Sequence, residues 1–388
     1  MFYRRVFYGL LSDHKLEDVK AMYSKLFYLI IATFAVSILI VLYYSSLQSE
    51  EIYMKLIEEH EEHDNEPSNN DLPQKLYDID FKYVLNNKSL CTADTQTLIL
   101  VTSYFGNVET RSAMRRAFTR EELANMNIKR AFLLGVAPTD KYTSQKAVQD
   151  ESKRFGDIIQ GNFIEAYRNL TYKHTMGLRW VEQHCSNAKF VIKMDDDIVV
   201  NIERIPKLLK SLQVPSAKNY IAGYVLRNMV PIREPANKWF VTEDEYDLDA
   251  YPPFVSGWFY VTNPYTCSNL FNVSQTTKYF WIDDTLITGI LAQKLNIRHV
   301  DIKANFTLHS EILECCIKDI QLKNLRCDIL VGPNGGNNNL FYEFNTAVGI
   351  CNLNLCSERT LPLDKTCIVE RKEVLGRGNP VIENYKLS

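Results

Sequence analysis

Three consecutive carboxylates, Asp195-Asp196-Asp197, interrupt an apolar stretch that reads Phe190-Val191-Ile192-Lys193-Met194 before them and Ile198-Val199-Val200-Asn201 after them. Acids packed this closely repel one another unless water or a cation screens them. Asp195 and Asp197, one residue apart, offer hard oxygen ligands. With waters and a phosphate completing the shell, such ligands suit Mg2+ or Mn2+ far better than zinc. A solvated acidic turn gives the same triplet, because charge runs usually lie on the surface. The flanking residues favour a site: they read as buried strands, and open α/β sheets bind ligands at strand carboxyl ends. A second pair, Asp283-Asp284, opens a predicted helix that runs to about Lys294. One aspartate suffices to cap a helix, worth about 1 kcal/mol, which leaves the other carboxylate spare for proton transfer.

The elements that must hold these acids alternate in type. Strands are predicted at 97–103 and 131–135, and helices at 109–124, 145–155 and 166–184, the last with apolar spacing suited to packing on a sheet. Tyr251-Pro252-Pro253-Phe254 turns into another apolar strand that carries Gly257 and Trp258. Strands alternating with helices imply an α/β layered fold with a largely parallel sheet.

The chain has 388 residues, 46% of them hydrophobic, enough for one large domain with additions. Its formal charge of −3 shows no basic stripe, so nucleic acid is excluded as a partner. Residues 26–44 carry no charge, a length that crosses a bilayer core of roughly 30 Å. Arg4, Arg5, Lys15, Lys20 and Lys25 precede that run, and Glu50, Glu51, Glu58, Glu59, Glu61 and Glu62 follow it. The asymmetry predicts a cytoplasmic tail at 1–25, a single-pass signal anchor at 26–44 that attaches the protein to the membrane, and a luminal remainder. Residues 45–90, acidic and polar, read as a stem. All nine cysteines follow the span, a distribution that fits disulfides in an oxidising lumen, and their odd number leaves at least one unpaired. Asn87, Asn169, Asn272 and Asn305 head N-glycosylation sequons.

From Glu151 to Asn201 the chain resembles the β-1,3-galactosyltransferase family of inverting glycosyltransferases. The likeness rests on Phe155-Gly156-Asp157-Ile158-Ile159-Gln160, Asn162-Phe163, Tyr167, Asn169-Leu170-Thr171, Lys173, Gly177-Leu178-Arg179-Trp180, Cys185 and Lys193. Upstream, Arg111-Ser112-Ala113-Met114-Arg115-Arg116-Ala117-Phe118 is similar to the family's arginine block, with Phe118 where tryptophan is usual. Downstream, Arg233, Pro235 and Lys238-Trp239-Phe240-Val241 also resemble it. Two positions depart: Trp258 follows Gly257 where a second glycine is common, and Asp283 stands where many members have glutamate.

The resemblance implies a GT-A (Rossmann-like) glycosyltransferase domain over 91–308, followed by a cysteine-containing extension at 309–388. It implies a Golgi type II enzyme that moves a hexose, galactose favoured, from a UDP-sugar to a glycan acceptor on glycoprotein or glycolipid, in β-1,3 linkage with inversion. Mn2+ (or Mg2+) would sit on Asp195 and Asp197. Arg111, Arg115, Lys193, Asp195 and Asp196 would meet the donor, although Arg115 and Lys193 are equally able to form structural ion pairs. Trp239, Gly257 and Trp258 would meet the acceptor. Asp284 matches the family's second acid and is expected to be the catalytic base, with Asp283 in reserve. The alternatives are an N-acetylglucosaminyltransferase, a non-catalytic pseudoenzyme of the same fold, and two-metal phosphoryl transfer at the triplet, which leaves the Tyr-Pro-Pro-Phe region unexplained.

Overall fold

The computed structural model describes residues 81–137, 143–212, 215 and 217–367. The predicted tail, anchor and most of the stem lie outside these residues. Among the described residues no helix is long and apolar enough to cross a membrane.

Eight strands form one mixed sheet: β1 (Tyr83–Leu85), β2 (Thr97–Thr102), β3 (Ile128–Val136), β4 (Ile158–Ile164), β5 (Phe190–Asp195), β7 (Tyr220–Leu226), β8 (Phe254–Thr262) and β9 (Arg298–Asp301), in the order β1-β4-β3-β2-β5-β8-β7-β9. The central four, β4-β3-β2-β5, run parallel, and β8 pairs antiparallel with both β5 and β7. After β2 the chain steps outward through β3 and β4, then returns to place β5 on β2's other side. That reversal opens a crevice at the carboxyl ends of β2 and β5. Thr102 and Asp195 are paired in register there.

The central strands are buried on both faces, as parallel sheets require, and their residues divide by parity. Ile99, Val101, Ile192 and Met194 enter one core, while Leu98, Leu100 and Val191 enter the other. Helices α1 (Val108–Ala117), α2 (Gln145–Phe155), α3 (Leu170–His184) and α4 (Pro264–Ser274) are connected through the sheet. Met176, Trp180 and Val181 of α3 and Leu270 of α4 pack on the second core. Gly156 ends α2 in the left-handed conformation that favours glycine (φ 65°). The predicted helix at 109–124 divides at Thr119, whose hydroxyl and Glu122 form a capping box that starts a new helix.

The boundary expected at 308 is not a structural boundary. Helices α5 (Ser310–Lys323) and α6 (Asn339–Leu353) contribute Leu313, Ile320, Phe341 and Phe344 to the first core, beside Ile99 and Met194. Strand β10 (Val331–Pro333) pairs with β6 (Ile198–Val200), the apolar stretch after the acidic triplet. Disulfides Cys315–Cys367, Cys316–Cys327 and Cys351–Cys356 fasten this segment, Cys91–Cys185 fastens α3 to the amino-terminal side of β2, and Cys267 is buried and unpaired. The stem boundary shifts too, because β1 pairs with β4.

Arg111 and Arg115 are structural, contrary to the expectation that they meet the donor. Arg111 is fully buried, and its guanidinium donates to both Glu151 oxygens (2.8 and 2.7 Å), Ser103 Oγ, Tyr104 O and Phe105 O. Arg115 donates to Glu151 Oε1 (2.7 Å) and both Asp157 oxygens, with its guanidinium stacked over Phe155. All five N–H groups of Arg111 are taken by the protein, and each nitrogen of Arg115 donates to a carboxylate. Glu151 therefore ties α1 to α2 through two arginines, and removing it strands the Arg111 charge in the interior while Arg115 keeps Asp157. Glu151→Ala should lower unfolding free energy by about 3–5 kcal/mol in a urea titration.

Candidate active site

The acidic triplet turns at the end of β5, where Asp195 and Asp196 take different partners. Asp195 Oδ1 accepts a bond from Lys193 Nζ at 2.7 Å. Asp196 Oδ2 accepts from Ser103 Oγ (2.8 Å) and Asn107 Nδ2 (2.9 Å), so the middle acid holds the loop after β2. The Asp197 carbonyl accepts from Asn334 N at 2.7 Å, which brings the β10 end to the triplet.

Lys193 is 3% exposed and lies between two acid groups. Its ammonium donates to Asp195 and to Gly257 O (2.7 Å), and Asp283 Oδ2 lies 3.9 Å away. Burial opposes its charge, but Asp195 and Asp283 outweigh burial and raise its pKa. Glycine at 257 leaves room for both groups: a Cβ there would stand 3.2 Å from Lys193 Nζ and 3.4 Å from Asp284 Cβ.

The Asp283-Asp284 pair is split by its surroundings. Burial pushes Asp283 up, but Lys193 and a 2.9 Å bond with His174 Nδ1 hold it at about 2. His174 is buried, which lowers its pKa and keeps the imidazole neutral. Nδ1–H then donates to Asp283, and Nε2, 2.5 Å from Tyr260 Oη, accepts from the phenol. Asp284 is pushed up to about 6, first by burial and then by the fixed charge of Asp283. Its Oδ2 accepts from Gly257 N (3.2 Å) and its Oδ1 from Thr285 N (2.7 Å). The geometry thus makes one permanent anion and one carboxylate that exchanges a proton near neutrality.

Around these acids lies an aromatic rim. The Tyr167 phenol bonds with Trp239, and after burial the charges of Asp283, Asp284 and Asp195 raise its pKa to about 12. Trp281 packs 5.9 Å from the Tyr167 ring, and the Lys238 ammonium lies over the same ring at 4.6 Å. An apolar, partly exposed ring surface beside polar acids is the environment that binds sugars and other amphipathic ligands.

The galactosyltransferase family model matches residues 109–303, half of the chain, and the matched stretch holds every acid described above. This chain belongs to the galactosyltransferase family. It is similar to human β-1,3-galactosyltransferase 5 (38% identity over 202 residues, 52% of this chain and 64% of that protein). It is also similar to mouse β-1,3-galactosyltransferase 2 (36% identity over 220 residues, 56% and 52%). The matched stretch therefore spans between half and two thirds of these relatives. Among solved structures, a galactosyltransferase in complex with donor and acceptor sugar analogues overlaps 65% of this chain and 96% of its own at 7% identity, with a TM-score of 0.35, too distant to carry an argument.

Within the family site the structure groups some predicted residues and separates others. Lys193, Asp195, Gly257, Asp283 and Asp284 share one cluster. Trp239 packs against the core on their side of the sheet, whereas Trp258 packs against the opposite core, so the two tryptophans do not form one acceptor surface. Of the sequon asparagines, Asn272 is exposed. Asn87, Asn169 and Asn305 are half-buried, with side-chain amides donating to Gly156 O, Ile164 O and Ile302 O. His174, Tyr260 and Trp281 were not singled out from the sequence, nor was Tyr167 given a role, although it belongs to the motif that carries the resemblance. The one local signal for His174 is a polar residue on the sheet-facing side of a helix.

The residues present fit a divalent ion. Thr102 Oγ1, at the register partner of Asp195, is buried with no hydrogen bond, and burial with the charges of Asp197 and Asp283 pushes Asp195 up to about 7 despite Lys193. That is a site short of positive charge. Among the described residues no three His, Cys, Asp or Glu side chains converge as a ligand set. Two carboxylates with the remaining ligands from phosphate and water are the pattern Mg2+ and Mn2+ accept.

The raised Asp284 pKa carries a stability signature. Below about pH 4 the carboxyl is protonated folded or unfolded, between about 4 and 6 only the unfolded chain ionises, and above 6 the buried charge costs a constant amount. Asp284→Asn should therefore raise the thermal midpoint at pH 7–8, and the gain should shrink to nothing as pH falls from 6 to 4.

Proposed function

We propose that this chain is an inverting UDP-sugar-dependent hexosyltransferase of the β-1,3-galactosyltransferase type, with a GT-A domain, galactose as the favoured donor sugar and a glycan as acceptor. The observation that carries the reading is the divided carboxylate pair: Asp284, near neutrality and bonded to Gly257 N, beside the permanently charged Asp283.

The reaction follows from these positions. An acceptor hydroxyl oxygen attacks the anomeric carbon, the bond from that carbon to the diphosphate oxygen breaks, and UDP departs with the electron pair. Asp284 takes the hydroxyl proton as the new bond forms, and attack opposite the leaving group inverts the centre. Asp283, held anionic by Lys193 and His174, keeps Asp284 basic enough to accept it. Asp195 and Asp197 would hold Mn2+ or Mg2+, which supplies positive charge to the departing diphosphate. Lys193 orients Asp195 for that task, Asp196 keeps the β2 loop in place, and Trp239 with Tyr167 offers aromatic surface to the acceptor ring. Transfer passes through an oxocarbenium-like state, so aligning the hydroxyl with a base matters more than protonating the leaving group. Location on the luminal side of the Golgi membrane belongs to the same proposal, and four disulfides suit that compartment.

The test is acceptor-dependent release of UDP by the full chain from UDP-galactose and UDP-N-acetylglucosamine, with Mn2+ and with chelator. UDP-galactose with Mn2+ should be the productive pair. Asp284→Asn should cut the rate by roughly 10² to 10⁴ while donor affinity stays near wild type, and Asp283→Asn should lose less. Absence of acceptor-dependent release from any UDP-sugar would overturn the reading.

A further inference from the structure

The helix that opens at Asp284 is not an ordinary α-helix. Its first seven residues, Thr285–Leu291, form a π-helix before the chain returns to α geometry at Ala292–Lys294. π-helical turns are rare and are found preferentially at functional sites. This one faces β8 where that strand has lost a neighbour. Pairing of β5 with β8 stops at Met194–Phe259, because β5 ends at the acidic triplet, so the earlier part of β8 has one backbone edge without a strand partner.

Side chains take over that edge. Thr288, fully buried, accepts a bond from Val255 N through its hydroxyl at 2.8 Å, and shares its proton between Val255 O (2.8 Å) and Asp284 O (2.6 Å). Two residues along the same edge, Gly257 N donates to the Asp284 carboxylate and Gly257 O accepts from Lys193. The backbone groups of Val255 and Gly257 both meet side chains along this edge, in the stretch where the register of β8 against β7 shifts. Thr288 holds one end of it and Asp284 the other. The Thr288 carbonyl is fixed in turn by a 2.7 Å bond with His299 Nε2, from β9.

We propose that Thr288 is a positioning residue for sugar transfer: its hydroxyl stands in for the missing strand, docks the π-turn on β8, and thereby fixes the Asp284 carboxylate against Gly257. The proposal rests on Asp284 being the proton acceptor. Thr288 touches no substrate and acts through the one carboxylate whose aim decides whether the acceptor hydroxyl is deprotonated in line with attack. Its effect falls first on alignment, because Asp284 belongs to the helix that Thr288 docks, whereas the triplet and Lys193 are carried by β5.

The experiment compares Thr288→Val, which keeps shape and removes the hydroxyl, with Thr288→Ser, which keeps the hydroxyl, in the full chain. Misplacing a catalytic group by about 1 Å costs on the order of 10²-fold, and the valine variant should lose that much in kcat with unchanged affinity for UDP-sugar. The serine variant should recover most of the rate. In the Asp284→Asn background Thr288→Val should add little further loss, since the group it positions is already gone. Thr288→Val at wild-type kcat, serine as slow as valine, or a donor-affinity loss matching the rate loss would each overturn the proposal. If the valine variant does not fold, Thr288→Cys, with a weaker hydrogen-bonding group, takes its place and must fall between serine and wild type on one side and Asp284→Asn on the other. A crystal structure of the variant separates this inference from the assigned reaction: if the wild type transfers no sugar, a preserved bond between Asp284 Oδ2 and Gly257 N still overturns the positioning role, and a broken one still supports it.

Discussion

A buried ammonium organises this site. Lys193 sits on a core strand at 3% exposure and is charged only because Asp195, Gly257 O and Asp283 surround it. A lone ammonium at that depth would shed its proton or unfold its surroundings. Once charged, it acts on both acid groups: it orients Asp195 at the triplet and helps keep Asp283 ionised at about 2. Burial, and after it the constant charge on Asp283, lifts Asp284 to about 6. Lys193 thus differentiates two adjacent aspartates that are chemically identical in the sequence.

The sheet makes that arrangement possible. Reversal of the chain between β4 and β5 leaves a crevice at the carboxyl ends of β2 and β5, and antiparallel β8 brings Gly257 to the same edge. The carboxy-terminal segment completes it from the other side. β10 pairs with β6, and Asn334 N bonds to Asp197 O, so the loop carrying the triplet is held from behind by residues outside the matched family stretch. Three disulfides in that segment secure the support without entering the site.

Much of this was legible from residue types. The strand-acid-strand pattern at 190–200, the helix at 145–155 and the acidic pair at 283–284 are local signals, and β5, α2 and the helix after Asp284 follow them. Long-range pairing was not legible. Arg111 and Arg115 read as donor contacts through the resemblance to the family's arginine block; Glu151 and Asp157, some 40 residues on, neutralise them instead. The segment after 308 read as an appendage because its helices carry no motif, yet Phe341 and Phe344 fill the core beneath Ile99 and Met194. Trp258 read as an acceptor contact beside Gly257, but the tryptophan packs against the other core. His174 was invisible because its partners, Asp283 and Tyr260, arrive from 109 and 86 residues away.

The central claim is that the fold makes one of two adjacent aspartates a permanent anion and the other a proton carrier. Titration of the side-chain carboxyl carbons by NMR, in protein labelled at aspartate and assigned through Asp283→Asn and Asp284→Asn, measures it directly. The account predicts that Asp284 titrates near pH 6 while Asp283 stays ionised throughout the range in which the protein is folded. Both carboxyls titrating near pH 4, or Asp283 titrating above Asp284, would contradict it.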